Sequence, residues 1–234
     1  MTSALRTALR SSGISRVVLV RHGNTNKHEI DAQRTLTDKG LRQCHLFRQH
    51  HASALEGVSL VLASAAERTM QTAREIISVP PTPVDDLYFV RPWRTEQMIA
   101  ADSAIGYAPV AEYIERFPGV HDAAGQAMAG AVAAAVAQAP PCHGGALLIC
   151  GHSGYLSFLA LEVVRAMAPD GGAGDAWASE ARNVVLHVNQ GEASAFELDA
   201  ASGAKYLPNP EATDFGVAAS NDAFVVGASG GSGS

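Results

Sequence analysis

Two histidines each follow a short apolar run of the chain. His22 lies two residues beyond the run 16–20, and His152 lies two residues beyond the run 146–150. Apolar runs of this length and composition are typical of buried strands in a parallel sheet. A glycine adjoins each histidine, which lets the backbone approach a ligand closely. We therefore predict that both imidazoles lie at the ligand-binding edge of one sheet.

Two arginines are predicted to reach the same edge. Arg21 directly precedes His22, and Arg68 begins a predicted helix that follows another strand. Arginine forks bind phosphate oxygens bidentately, and a neutral imidazole is a competent nucleophile for phosphoryl transfer. The neighbouring positive charges should keep His22 neutral by lowering its pKa, whereas His152 suits a cation or hydrogen-bond donor. The pattern predicts phosphoryl transfer without a metal.

The elements that would position these residues alternate between strands and helices. Besides the two runs above, we predict a strand at 59–63 and helices at 38–50, 67–77, 123–139 and 155–167. We also expect two closing strands, 184–188 and 193–198, joined by a turn at 189–191. Alternation of this kind predicts an α/β fold, a three-layer α/β/α sandwich around a mainly parallel central sheet.

The domain limits follow from composition. We predict a flexible N-terminus (1–14), one catalytic domain (15–208) and a tail (209–234), of which 227–234 has the composition of a linker. Prolines and aromatic residues are concentrated in a segment at about 79–125. This segment is expected to form a loop-and-helix insertion over the active site rather than part of the sheet.

Composition excludes several classes of protein. With 234 residues, 47% hydrophobic and 17% charged, the chain is expected to form one folded domain. Its net charge of -6 gives no electrostatic reason to expect nucleic acid or a membrane as partner. Three cysteines fit neither a disulfide framework nor a zinc site. We predict a cytoplasmic protein, with organelle targeting by the N-terminus as an alternative; the oligomeric state stays open.

Four pieces of the chain, in this order, resemble motifs of one known family. They are Leu19-Val20-Arg21-His22-Gly23-Asn24-Thr25, Leu36 through Gln43, Ser64 through Ala73, and Ile149-Cys150-Gly151-His152-Ser153-Gly154. With them the chain resembles the histidine phosphatase superfamily, also called the phosphoglycerate mutase-like family. The resemblance implies that His22 is the nucleophile that becomes phosphohistidine. It implies that Arg21, Arg68 and His152 hold the phosphoryl oxygens, with further hydrogen bonds from Asn24 and Thr25.

From the residues we predict neither a metal nor a cofactor. Many members of the family have a carboxylic acid that protonates the leaving group. Here that position is not clear, and the segment looks more like the short phosphohistidine phosphatases, in which this acid is missing or less important. Asp86 is the candidate acid that we predict. Asp85, Glu96 and Asp102 are the next candidates, and the pair 85–86 could equally be a solvated turn.

The predicted function is hydrolysis of a small phosphomonoester or of phosphohistidine. One alternative is a phosphoglycerate-type mutase, for which Arg91 and Arg94 would offer a second anion clamp. The other is a non-catalytic module that recognises phosphorylated partners. Trp93, Tyr107 and Tyr113 could line a substrate pocket or pack the insertion.

Overall fold

A central sheet with helices on both faces organises the chain. The computed structural model describes residues 2–89, 91, 94–106, 108–140, 145–188 and 190–212. Its sheet has six strands, and the predicted α/β/α sandwich is confirmed. Among the described residues, no helix is both long and apolar enough to cross a membrane.

The elements follow one another in the order that the sequence predicts for the central part of the chain. The strands are β1 (Arg16–Arg21), β2 (Val58–Ser64), β3 (Thr82–Val84), β4 (Ala146–Gly151), β5 (Ala195–Asp199) and β6 (Gly203–Leu207). The helices are α1 (Thr2–Ser11), α2 (Asp38–His50), α3 (Ala52–Leu55), α4 (Glu67–Ile76), α5 (Glu96–Ile105), α6 (Val110–Arg116), α7 (Asp122–Gln138), α8 (Tyr155–Met167) and α9 (Gly172–His187).

The strand order is β3-β2-β4-β1-β5-β6. Strands β1, β2, β3 and β4 run parallel, while β5 pairs antiparallel with both β1 and β6. The three strands β2, β4 and β1 therefore lie side by side with their carboxyl ends at one edge. Ligands bind at this edge in open parallel sheets.

Successive residues of β1 point to opposite faces of the sheet. Val17 and Leu19 belong to the larger hydrophobic core, which includes buried residues of α1, α7 and α8. Val18 and Val20 belong to a second core, which includes residues of α2 and α4. The run is apolar throughout because helices cover both faces of the strand.

The N-terminal segment is not the flexible tail that its composition predicts. Helix α1 buries Leu5, Ala8 and Leu9, which recur at helical spacing and pack into the larger core. Its partners are α7 and α8, far away in the sequence. The prediction of a flexible segment at 1–14 is therefore wrong for the helical residues.

The end of the fold also differs from the prediction. The run 184–188 was expected to be a strand, but Val184 and Val185 lie in the last turns of α9. They are buried together with Ala181, at the spacing i, i+3 and i+4 of a helix face. The closing hairpin is instead formed by β5 and β6, where Asp199 accepts hydrogen bonds from two backbone amides of the turn.

The predicted insertion is partly sheet. Strand β3 adds an edge strand to β2 and contains Pro83, as edge strands tolerate. After it come a 3-10 turn at Asp85–Leu87 and helices α5 and α6. Tyr113 is buried and packs against His121 at a ring-centroid distance of 5.1 Å. Trp93, Tyr107, Asn189, Cys142 and the tail 213–234 lie outside the described residues.

The packing of α1 predicts that it contributes to global stability. Leu5→Ala should lower the free energy of unfolding by about 2–5 kcal/mol, because Leu5 is fully buried. The exposed Thr7 on the same helix is the control. Thr7→Ala should change the free energy of unfolding by less than about 0.5 kcal/mol. Denaturant titration of both variants measures the difference. Equal, small effects would show that α1 is not part of the cooperative core.

Candidate active site

The two histidines lie together at the carboxyl edge of adjacent strands. Strands β1 and β4 pair up to their last residues, and the backbone N–H of His22 donates to the carbonyl of Gly151 at 3.1 Å. The imidazole rings of His22 and His152 are 5.3 Å apart between centroids. Ending the two strands in register thus places two imidazoles in one site.

Arg68 joins them from the opposite side of β4. It lies near the start of α4, which follows β2 after two residues, and its side chain is almost fully buried. Its Nη2 is 3.2 Å from Nδ1 of His152. The structure brings Arg68, His22 and His152 together in one site, as the sequence predicts.

Asp31 holds the Arg68 guanidinium in place. Arg68 donates from Nη1 to the carbonyl oxygen of Asp31 at 2.6 Å and from Nη2 to its carboxylate at 2.8 Å. Tyr88 donates to the same carboxylate at 2.9 Å. Burial acts to raise the pKa of Asp31, but these hydrogen bonds hold it below its ordinary value. Nε of Arg68 is buried and has no hydrogen-bond partner among the described residues.

Two further arginines contribute positive charge. Arg21 donates from Nη1 to the carbonyl of Gln190 at 2.7 Å. Arg34 donates to the Thr25 hydroxyl and, from Nε, to the carbonyl of Asn26 at 2.9 Å. Both line a cavity of about 530 Å³ that His22, Arg68 and His152 also line. The N-terminus of α8, whose helix dipole favours an anion, lies at the same cavity.

The hydrogen bonds of His22 define its tautomer. Its Nδ1 lies 2.7 Å from the carbonyl oxygen of Gly23, which can only accept, so Nδ1 carries the proton. The Nε2 atom then keeps its lone pair. Burial, followed by the charge of Arg21 and more weakly those of Arg68 and Arg34, lowers the pKa of His22 to about 3. His22 is therefore a neutral imidazole whose Nε2 is unprotonated.

His152 is neutral as well, with the opposite tautomer. Its Nδ1 accepts from Arg68, since a guanidinium can only donate, and its Nε2 lies 2.7 Å from the hydroxyl of Ser64. Burial has the largest effect, followed by the repulsion that a protonated His152 would feel from a protonated His22 and from Arg68; together they lower the pKa of His152 well below its ordinary value. We expected a cation or a donor at this position. In this structure His152 is a neutral donor toward Ser64.

Asn24 and Thr25 line the cavity, but their side chains bind other protein groups. Asn24 donates to the carboxylate of Glu192 at 2.9 Å and accepts from the hydroxyl of Thr37 at 2.7 Å. Thr25 accepts from Arg34. A Cβ on Gly40 would lie 2.2 Å from the carbonyl oxygen of Asn24, so glycine there lets α2 approach this loop. The contacts place Asn24 in a framework that shapes the site.

The structure corrects the choice of Asp86 as the acid beside His22. Its side chain is 51% exposed, forms an ion pair with Arg91 at 3.6 Å and is not among the residues that line the cavity. Asp85 is also exposed and pairs with Arg91. The 3-10 turn directs both carboxylates to solvent because it buries Leu87 instead. Of the other two candidates, Asp102 lines the cavity and Glu96 does not.

Several residues of the site escaped sequence reasoning. Asp31 and Arg34 lie in an irregular segment between two of the recognised motifs, where no periodicity indicates which side chains point inward. Ser64 lies within a recognised motif, and its position at a strand end could have indicated a contact with His152. Glu192 lies beyond the last motif, and no signal in the sequence indicates it.

The arrangement has the chemistry of a phosphate site rather than that of a metal centre. Guanidinium and imidazole groups, which bind oxyanions, line the cavity around His22. In the part of the chain that the structure describes, no three His, Cys, Asp or Glu side chains form a group that could hold a metal ion.

Comparison with known proteins places this site in context. The family model of the histidine phosphatase superfamily (branch 1) matches residues 17–191. None of the curated protein sequences compared with the chain matches it. Among solved structures, a mycobacterial glucosyl-3-phosphoglycerate phosphatase in complex with inorganic phosphate is 18% identical with a TM-score of 0.51; the match covers 79% of this chain and 89% of that one.

Two other solved structures match most of the chain. The alpha-ribazole phosphatase from Shigella flexneri is 20% identical with a TM-score of 0.48, over 86% of this chain and all of that one (100%). The protein histidine phosphatase SixA in complex with tungstate is 14% identical with a TM-score of 0.41, and the match covers 82% of this chain and 93% of that one. At 18% identity, the likeness to the glucosyl-3-phosphoglycerate phosphatase concerns the fold alone.

The low pKa of His22 predicts how the site titrates. His22 should stay neutral with its proton on Nδ1 from about pH 8 down to about pH 5, since protonation should occur only near pH 3. Imidazole ¹⁵N chemical shifts report both the charge and the tautomer, and His22→Gln assigns the signal. Because the unfolded chain takes up this proton near pH 6.5, stability should also fall as the pH drops below that value. A titration midpoint of His22 near 6.5 would contradict the account.

Proposed function

The chain belongs to the histidine phosphatase superfamily, and on this basis we propose that it hydrolyses phosphomonoesters through a phosphohistidine intermediate on His22. The observation that carries the proposal is a neutral imidazole, with Nε2 unprotonated, beside arginines in one cavity. Neutral imidazole attacks phosphorus, whereas imidazolium has no lone pair to offer. The substrate class proposed is a small phosphorylated molecule.

In the first step, Nε2 of His22 forms a bond to phosphorus while the bond from phosphorus to the leaving oxygen breaks. The leaving oxygen takes the bonding electron pair and acquires a proton from solvent or from an acid. Arg21, Arg68 and Arg34 offset the charge of the equatorial phosphoryl oxygens, which is where most of the catalysis arises in a loose transition state. The carbonyl of Gly23 stabilises the positive charge that develops on the imidazole.

In the second step, water attacks phosphorus and the bond to Nε2 breaks. The electron pair returns to His22, which becomes neutral again, and the water loses a proton to the solvent or to the phosphate formed. The same arginines serve this step, because the phosphoryl group is again planar and anionic at its midpoint. Inorganic phosphate then leaves, and the site is ready for another substrate.

The carboxyl groups that line the cavity determine whether the site can protonate a leaving group. Among the described lining residues, these are Asp102 and Glu192. Glu192 accepts from Asn24 and Gln43 and lies near Lys39, and Asp102 accepts from Tyr155. Burial acts to raise the pKa of Asp102, but its hydrogen bonds lower it. Asp102 held in this way is a poor proton donor, and the Glu192 oxygens are occupied by Asn24 and Gln43, so we propose substrates with leaving groups that depart with little protonation.

Hydrolysis fits the contacts better than mutase activity does. The second anion clamp of a mutase would need Arg91 and Arg94 available for the rest of the substrate. Arg91 forms ion pairs with Asp85 and Asp86 outside the cavity lining, and Arg94 is engaged with Asp102. These pairings support water as the final phosphoryl acceptor.

The mechanism predicts a covalent phosphoenzyme. Wild-type protein quenched in alkaline denaturant during turnover of ³²P-labelled p-nitrophenyl phosphate should retain label, and His22→Ala should lose both the label and several orders of magnitude in rate. His28, an exposed histidine on the same loop, provides the control, and His28→Ala should keep both. Persistent turnover in His22→Ala would refute the mechanism. Neither label nor turnover in the wild type would favour a phosphate-recognition module.

We also propose that the reaction needs no metal, because guanidinium groups supply the charge that a cation would otherwise provide. Dialysis against a chelator should leave kcat and KM for p-nitrophenyl phosphate unchanged. Addition of Mg²⁺, Mn²⁺ or Zn²⁺ to the dialysed protein is the companion measurement and should not increase the rate. Loss of activity in chelator, followed by recovery with one of these ions, would overturn the proposal.

A further inference from the structure

The cavity extends beyond the anion site to a second, largely apolar region. We call this region the far end; it is lined by Phe89, Val110, Tyr113, Tyr155 and Phe158, with Arg94 and Asp102 beside them. Phe89 lies at the boundary, with its ring 5.1 Å from that of His152 and 6.0 Å from that of Tyr155. When the phosphoryl group of a phosphomonoester lies at His22, the organic part of the molecule can therefore extend into the far end.

The polar groups of the far end bind one another. Arg94 donates from Nε to the hydroxyl of Tyr155 at 2.8 Å, and that hydroxyl donates to the carboxylate of Asp102 at 2.6 Å. Arg94 and Asp102 also form an ion pair at 3.4 Å, and Nε2 of His121 lies 3.3 Å from the second carboxylate oxygen. The guanidinium of Arg94 further lies 5.2 Å from the centre of the Phe89 ring. These contacts engage Nε and Nη2 of Arg94 and both carboxylate oxygens of Asp102.

Charge is thus distributed unevenly along the cavity. Arg21, Arg34 and Arg68 surround the histidine end. At the far end, the charged lining residues that the structure describes are Arg94 and Asp102, which neutralise each other. An anionic group there would gain little attraction, whereas an apolar ring would replace water against aromatic side chains.

We propose that the far end binds the leaving group and selects an uncharged, ring-bearing one, such as a phenol, over one with a carboxylate or second phosphate. This inference rests on the proposed function, since it assigns the phosphoryl group to His22. It requires that Phe89 contact the ring of the substrate. The affinity contributed by that contact is separate from the rate of the chemical step.

Phosphonates separate recognition from chemistry because they are not hydrolysed. Calorimetry should show that benzylphosphonate binds about ten-fold tighter than methylphosphonate, the scale of a partly buried ring contact. Phosphonoacetate, which adds a carboxylate instead, should bind no tighter than methylphosphonate. Equal affinities of the benzyl and methyl compounds, or tightest binding of phosphonoacetate, would overturn the inference. So would a lack of binding by all three.

A pair of matched variants locates the ring contact. Phe89→Leu should abolish most of the benzyl-to-methyl affinity ratio, whereas Phe117→Leu should preserve it, because Phe117 belongs to the same insertion but does not line the cavity. The ratio within each variant corrects for general effects on the anion site. An unchanged ratio in Phe89→Leu would overturn the proposed contact. Failure of the proposed function is distinguishable, since it would appear as a missing phosphoenzyme while the phosphonates still bind.

Discussion

The site depends on gathering several guanidinium groups around one imidazole inside a partly buried cavity. Asp31 partly offsets the charge of Arg68 and holds its donors in a fixed direction, and the carbonyl of Gln190 holds Arg21. Burial of the imidazole, together with the positive potential that remains at His22, keeps this side chain neutral. The same charges that attract a phosphate thus add to the effect of burial, which preserves the lone pair on His22. Anion binding and nucleophile activation arise from one arrangement.

The sheet makes that arrangement possible. Three adjacent strands, β2, β4 and β1, end at one edge, and each leads directly into part of the site. Because these strands are buried on both faces, their ends are held by both hydrophobic cores. Helix α1 adds to the larger core although its composition suggests disorder; its burial depends on α7 and α8, which local sequence patterns do not reveal.

The sequence could predict the parts of the site that lie at the ends of regular elements. His22 and His152 come directly after apolar strands, so a local pattern predicts where they lie. Arg68 could be located because it lies at the start of a predicted helix. Asp31 and Arg34 could not be found in this way, because their loop has no periodicity and tertiary contacts alone determine which side chains face the cavity. The choice of Asp86 was wrong for a related reason, since the fold of the insertion turns that carboxylate to solvent.

Nε2 of His22 is proposed as the attacking atom because Nδ1 carries the proton and donates it in a hydrogen bond to the Gly23 carbonyl. The most direct measurement is the ³¹P and ¹⁵N NMR spectrum of the phosphoenzyme, formed from protein labelled with ¹⁵N in its histidines and kept at alkaline pH. The phosphorus–nitrogen coupling identifies which ring atom carries the phosphoryl group. The account predicts phosphorylation on Nε2 of His22. Phosphorylation on Nδ1, or on any residue other than His22, would contradict it.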